Sequence, residues 1–290
     1  MTQEELNEQL IKAVNNGDTA TVRKMLEQGA DPNSRDNWNN YGYTALMKAC
    51  RSGHTDTAGL LLEHGADPNV QSRDGYTALM KACRSGRTDT AGLLLEHGAD
   101  PNVQNNYGET ALMEACWDGR TDTTRLLLEH EADPNVRNNY GGTALMYACR
   151  GGETEMIQML LDAKADPNVQ NNDGETALTM VCIYPRGNRD VITALITAGA
   201  ELDKRNNDSM TALMCLARGG YTGLMKLLIK AGADAATKDD RGRTALDILQ
   251  DLHPGKYDRW IQNAVIKSRK KTLKREDSAR SQSCTPDFNI

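Results

Sequence analysis

The sequence predicts an all-α chain: a solenoid of about eight stacked helix–turn–helix units, with atypical units at both ends. Three observations predict it. The tripeptide Thr-Ala-Leu recurs at Thr44, Thr77, Thr110, Thr143, Thr176, Thr211 and Thr244, in steps of 33, 33, 33, 33, 35 and 33 residues. Each step holds two short apolar stretches separated by Gly, the first four closed by Pro68, Pro101, Pro134 and Pro167, and neither stretch can bury its apolar face alone. Aromatic residues are 4% of the 290, with a single Phe (Phe288), while Leu, Ala and Met abound. That composition suits thin layers of packed helices better than one large globular core.

The elements of a unit follow in a fixed order. In residues 42–74, "TALMKAC" opens a first helix, with Thr44 as its cap and Ala and Leu as a narrow apolar stripe. Gly53 ends it, as Gly86, Gly119 and Gly152 do in the next units, because Gly accepts a positive φ. The second helix is "TDTAGLLLEH", with a Leu run inside. "GADPN" closes it: Gly caps the end and Pro forbids continuation. "VQSRDGY" and its relatives are polar turns. Residues 75–107 repeat 42–74 with four changes in 33 positions, at 54/87, 72/105, 73/106 and 74/107.

The ends depart from the pattern. The first unit, Glu4–Asn33, lacks "TALM" but keeps "LEQGADPN". The last begins near Arg241 and has an unrelated second helix. The repeat domain is therefore expected over 1–266, with caps near 1–36 and 241–266, and a basic, disordered tail over 267–290. Two insertions interrupt the period. "DNWNN" (Asp36–Asn40) enlarges one turn, and "IYPRGNRD" (Ile183–Asp190) supplies the 35-residue step and should distort the stack locally through Pro185.

A 33-residue unit reading G-x-T-A-L-M-x-A-C-x-x-G … L-L-L-E-H-G-A-D-P-N resembles the ankyrin repeat, over about residues 4–265. The family pattern has Pro for the first Ala, His for Met, Ala for Cys and Val for Pro, and here the departures recur in register. The resemblance implies a non-enzymatic scaffold or adaptor that binds another protein on a concave face. That face is made of the turns before each Thr, the fingers, and the exposed side of each first helix.

Cys50, Cys83, Cys116, Cys149 and Cys182 lie 33 apart. A metal or disulfide reading fails on distance. Equivalent points on stacked helices sit ~10 Å apart, whereas a disulfide needs Cα atoms within ~7 Å and zinc needs sulfur at ~2.3 Å. These cysteines are expected in the core, replacing Ala. Met47, Met80, Met113, Met146 and Met214 are expected to pack between helices, the alternative being a sulfur-rich contact strip. His64, His97 and His130 fall where a cation favours the carbonyl end of the second helix. No zinc-protease, P-loop, dinucleotide or nucleophile-elbow motif is present. Catalytic residues, cofactors and metals are therefore expected to be none, with no small-molecule substrate.

Seven basic residues against three acidic ones put +4 on residues 267–290, so the total of −6 leaves −10 on residues 1–266. An acidic repeat body disfavours nucleic acid. No stretch suits a membrane span or a secretory leader, and seven Cys without evident pairing favour a reducing compartment. The reading is a monomeric, intracellular, cytoplasmic protein. The basic cluster over 267–275 leaves open a nuclear address, an acidic-lipid contact or an export signal. The export signal defines a second reading, an effector of an intracellular bacterium that binds host proteins.

Binding residues are expected where neighbouring units differ on the concave face. The finger positions are Tyr41, Tyr43, Tyr76, Tyr107, Glu109 and Tyr140; the exposed first-helix positions are Lys48, Arg51, Lys81, Arg84, Glu114, Trp117, Tyr147 and Arg150. Tyr, Trp and Arg are the types enriched in interface hot spots.

Overall fold

The structure, a computed structural model, describes residues 1–36, 41–183, 189–256 and 259–267. Residues 37–40 of the enlarged turn expected at 36–40, the distortion expected around Pro185 and the tail beyond 267 lie outside these residues. The chain divides into two compact units, Met1–Asp166 and Pro167–Ile290.

The first unit stacks five helical hairpins: α1 (Gln3–Asn16) with α2 (Thr19–Glu27), α3 (Ala45–Ser52) with α4 (Thr55–Glu63), α5 (Ala78–Arg84) with α6 (Thr88–Glu96), α7 (Ala111–Trp117) with α8 (Thr121–Glu129), and α9 (Ala144–Gly151) with α10 (Thr154–Asp162). The second unit holds α11 (Ala177–Ile183) with α12 (Arg189–Thr197), α13 (Ala212–Gly219) with α14 (Thr222–Ala231), and α15 (Ala245–Leu252), followed by a single 3₁₀ turn (Pro254–Lys256) and a helix α16 over 259–267. Among the described residues the sole β-type pairing is one isolated bridge between Arg35 and Thr44. None of their helices is long and apolar enough to cross a membrane.

Local chemistry explains the hairpins. The Thr44 side chain accepts from the Met47 amide, and Thr77, Thr110, Thr211 and Thr244 do the same three residues on. Each such cap stabilises its helix by about 1 kcal/mol. The second helices start differently. His54, Arg87 and Arg120 occupy their N-cap positions and make no side-chain cap bond. Instead, the two arginines lie across the glycine ending the first helix of the unit before: a Cβ on Gly53 would meet Arg87 Cδ at 2.8 Å, and one on Gly86 would meet Arg120 Cδ at 2.9 Å. His54 covers Gly17 in the same way. His54 and Arg87, different at this position, both cover that glycine.

Packing runs between equivalent helices. In the first unit α3 packs on α5, α5 on α7 and α7 on α9, while the second helices make a parallel row. Met47, Met80, Met113 and Met146 on the first helices are buried, as are Cys50, Cys83, Cys116 and Cys149. Met214 and Cys182 are equally buried in the second unit. Packing is therefore the role of both series, as the spacing predicted. Burial pushes the Cys50, Cys83, Cys116 and Cys149 thiols up, Cys116 to about 12.

A polar ladder holds the turns in register. Asn69 Nδ2 donates to the Gly98 carbonyl at 2.9 Å, and Asn69 Oδ1 accepts from the Asp100 amide at 2.8 Å. Asn102 and Asn135 repeat the pair of bonds one and two units on. Gln71 and Gln104 each donate to their own turn and to the next one. On the second helices, hydroxyls pair across units, Thr55 with Thr90 at 2.7 Å and Thr88 with Thr123 at 2.8 Å. The identical letters of the repeat thus serve both the unit and its junction with the next.

Candidate protein-binding surface

The site is built in the first unit, on the turns preceding α3, α5, α7 and α9 and on the outward edge of those helices. The turns before α7 and α9 are fixed from within. Asn105 Oδ1 accepts from the amides of Tyr107 and Glu109, and Asn138 Oδ1 does so from Tyr140 and Gly142. Turns also bond to their neighbours: the Asn106 amide donates to the Asp74 carbonyl and the Asn139 amide to the Tyr107 carbonyl. The side chains they carry are therefore presented from rigid backbone.

Three of the expected tyrosines stand out from the surface: Tyr41, Tyr107 and Tyr140. Tyr43 and Tyr76 are half-buried, and the Tyr41 and Tyr43 rings stack with centroids 5.5 Å apart. Arg51, Arg84, Arg150 and Trp117 are exposed, and Lys48 is half-buried in an ion pair with Asp36.

Two residues expected to be exposed are not. Lys81 and Glu114 are buried, at 7% and 5% exposure. The reason is the stacking itself. Each sits in the first turn of its helix, close to the fingers, and side chains of the adjoining units close over it. The Lys81 ammonium lies over the Tyr76 ring at 3.5 Å and the Tyr43 ring at 4.7 Å. Burial draws Lys81 down to about 8, opposed by the Glu114 charge and helped by Arg84 and Arg51. Burial pushes Glu114 up to about 7, against the pull of Arg84. Burial, then the Glu114 charge, also raises the Tyr76 hydroxyl.

A second cluster lies next to it. Trp117 and Tyr147 meet edge to face, centroids 5.2 Å apart and planes at 82°. The Arg150 guanidinium sits 4.9 Å over the Trp117 ring. The Tyr147 hydroxyl accepts from Asn138 Nδ2 at 2.7 Å and donates to Glu109 Oε1 at 3.4 Å. Burial and the Glu109 charge push this hydroxyl up to about 12. Arg84 ties the two clusters together, lying 3.7 Å from both Glu114 and Asp118. It lines a pocket of about 220 Å³ with Glu109, Met113, Glu114, Trp117 and Tyr147. It also lines a larger one of about 520 Å³ with Tyr43, Tyr76, Lys81 and Tyr107.

Asn138, which holds Tyr147 in place, is absent from the residues that the repeat pattern marks for binding. A signal for it exists in the sequence: Asn recurs at 105, 138 and 171, at the same place in each turn. Among the described residues no group of three metal-ligating side chains converges.

The fold defines a class: repeated helical hairpins stacked on one another. Comparison with family models gives the family. A model for ankyrin repeats, built as three copies, matches residues 10–105, 65–138, 94–171, 132–206 and 179–250. The matches run through most of the chain, and it belongs to the ankyrin repeat family. Repeats of this family generally serve as protein–protein interaction modules. A search of curated proteins returned no match.

Proposed function

We propose that the chain is a non-enzymatic scaffold or adaptor that binds a partner protein along the finger and first-helix edge of its second to fifth repeats. The observation that carries this reading is Trp117. It is 51% exposed, yet Tyr147 on one side and Arg150 on another fix its ring. A large aromatic held rigid in water has little ordering entropy left to lose on association, which is the physical character of an interface hot spot. Tyr107 and Tyr140 extend the exposed aromatic surface to the fingers on either side.

The test is a comparison of proteins retained by the wild-type chain and by the Trp117→Ala/Tyr147→Ala variant, from an extract of its own source cells, quantified by mass spectrometry. The expected result is at least one partner lost from the variant, whose melting curve confirms folding. An unchanged set of retained proteins, with fold intact, would sink the proposal.

A further inference from the structure

We propose that the pocket over Lys81 receives one carboxylate side chain from an acidic peptide segment of the partner protein, paired by the Lys81 ammonium and flanked by Arg51 and Arg84. This rests on the reading that the finger and first-helix edge is the binding surface.

The geometry carries it. Lys81 is more than nine-tenths buried, and among the described residues no carboxylate lies within ion-pair distance of it. Its polar company is the faces of Tyr76 and Tyr43. Ring faces attract a cation, but they replace only part of the water an ammonium gives up on burial. The nearest buried acid, Glu114, is engaged by Arg84 at 3.7 Å. Lys81 lines a pocket of about 520 Å³ that is open to solvent, with Arg51 and Arg84 at its edge and tyrosines as walls. The missing component is an anion delivered from outside. Burial has already drawn the amine below its ordinary range, so an arriving carboxylate stabilises a charge the fold alone disfavours.

The same surroundings set the kind of anion. Asp74 lines the pocket and Glu114 acts electrostatically on Lys81. A dianionic phosphoryl group would meet both carboxylates, whereas a single carboxylate needs only the ammonium and one guanidinium. A nucleic-acid backbone is opposed by the net charge of −6 on the whole chain. A peptide presents its acid singly and offers apolar neighbours to the Tyr43, Tyr76 and Tyr107 walls.

The experiment is selection from a phage-displayed library of random dodecapeptides on the full chain. Selected peptides are then measured by fluorescence anisotropy against wild type, Lys81→Met, Arg51→Gln and Trp117→Ala/Tyr147→Ala. Melting curves establish that each variant is folded, and Arg51→Gln, at an exposed position, provides a second reading should Lys81→Met be unstable. The expected peptides share an Asp or Glu at one position. They bind Lys81→Met about ten-fold or more weakly and lose as much when that acid is changed to its amide. They also weaken against Arg51→Gln and shield the Lys81 amine from an acylating reagent. Peptides that weaken on the Trp117→Ala/Tyr147→Ala variant, yet lack a shared acid and ignore Lys81→Met and Arg51→Gln, overturn this inference and leave the binding surface standing. Peptides indifferent to all three variants overturn both.

Discussion

Tyr147 presents its ring edge-on to Trp117 at 5.2 Å while its hydroxyl is clamped between Asn138 and Glu109. One tyrosine therefore converts a buried polar anchor into a fixed aromatic platform. Such a pair contributes about 0.5–1.5 kcal/mol beyond area burial. In a double-mutant cycle on urea unfolding, Trp117→Ala and Tyr147→Ala should show coupling of that size. Tyr147→Phe should keep the ring contact and lose about 1 kcal/mol through the unpaired Asn138 amide. A coupling indistinguishable from zero would mean that the two rings are merely adjacent.

Glu114 and Lys81 give opposite slopes in stability against pH. The Glu114 pKa in the folded chain, about 7, lies above the ordinary value of 4.5. The folded state thus holds the proton more tightly, and stability from this group is full below about 4.5 and lost as pH rises through 7. The Lys81 value, about 8, lies below the ordinary 10.5, so the penalty of charging it is full below 8 and relieved as pH rises towards 10.5. The pair predicts a stability trough between pH 7 and 8. Glu114→Gln should flatten the acid limb by up to about 3 kcal/mol relative to wild type. Urea midpoints of both proteins from pH 4 to pH 10 measure it, and parallel curves would refute the assignment.

The period of 33 made the hairpins, their caps and the buried Cys and Met series legible, because one repeat fixes all the others. The same register marked Tyr41, Tyr107, Trp117 and Tyr140 for the surface, where they are exposed. What the spacing could not show is depth. Lys81 and Glu114 occupy the position of Lys48 and Tyr147 in the repeat, yet the first two are buried and the others half-buried. Burial there is decided by which side chains the adjoining finger carries, a contact between units that no single unit encodes. The role of Asn138 was hidden likewise, since its partner Tyr147 replaces a charged residue found at that place in the units before.

The asparagine ladder makes a prediction about junctions. Asn69→Ala removes both the bond to the Gly98 carbonyl and the one from the Asp100 amide, leaving two turns unlatched. The site is exposed, so water replaces part of each bond, and the loss should be about 1–2 kcal/mol. Asn69→Asp keeps the acceptor and should recover roughly half of it. Urea unfolding measures both, and equal losses in the two variants would show that only the donor bond matters.

Thiol chemistry tests the core assignment. Six of the seven cysteines are buried, and burial raises Cys50, Cys83, Cys116, Cys149 and Cys215 above the ordinary thiol range. A chromogenic thiol reagent at pH 8 should therefore modify no more than one thiol per folded chain quickly, and all of them in urea. Rapid reaction of two or more in the native protein would place part of the series at the surface.

The space around a Cβ separates two kinds of positive-φ glycine, and the difference is testable. After the second helices, Gly65 and Gly98 have φ of 88° and 81°, and a Cβ there would meet nothing within 4 Å. Glu131 and Lys164 stand at the same place in later units, at φ 61° and 69°. They carry left-handed strain of about 1–2 kcal/mol but no clash. Glu131→Gly and Lys164→Gly should each stabilise the chain by about 0.5–1 kcal/mol, after the greater freedom of Gly in the unfolded state offsets part of the gain. At the fingers the geometry differs. A Cβ on Gly75, at φ 79°, would sit 2.6 Å from the Asn106 amide nitrogen and 2.9 Å from the Asn105 carbonyl carbon. Both contacts are with backbone that cannot swing aside. Gly75→Ala should therefore cost more than the strain alone, about 3 kcal/mol, and Gly98→Ala only about 1 kcal/mol. Comparable urea midpoints for the two alanine variants would show that the finger backbone yields, and that the rigidity on which the binding surface depends is absent.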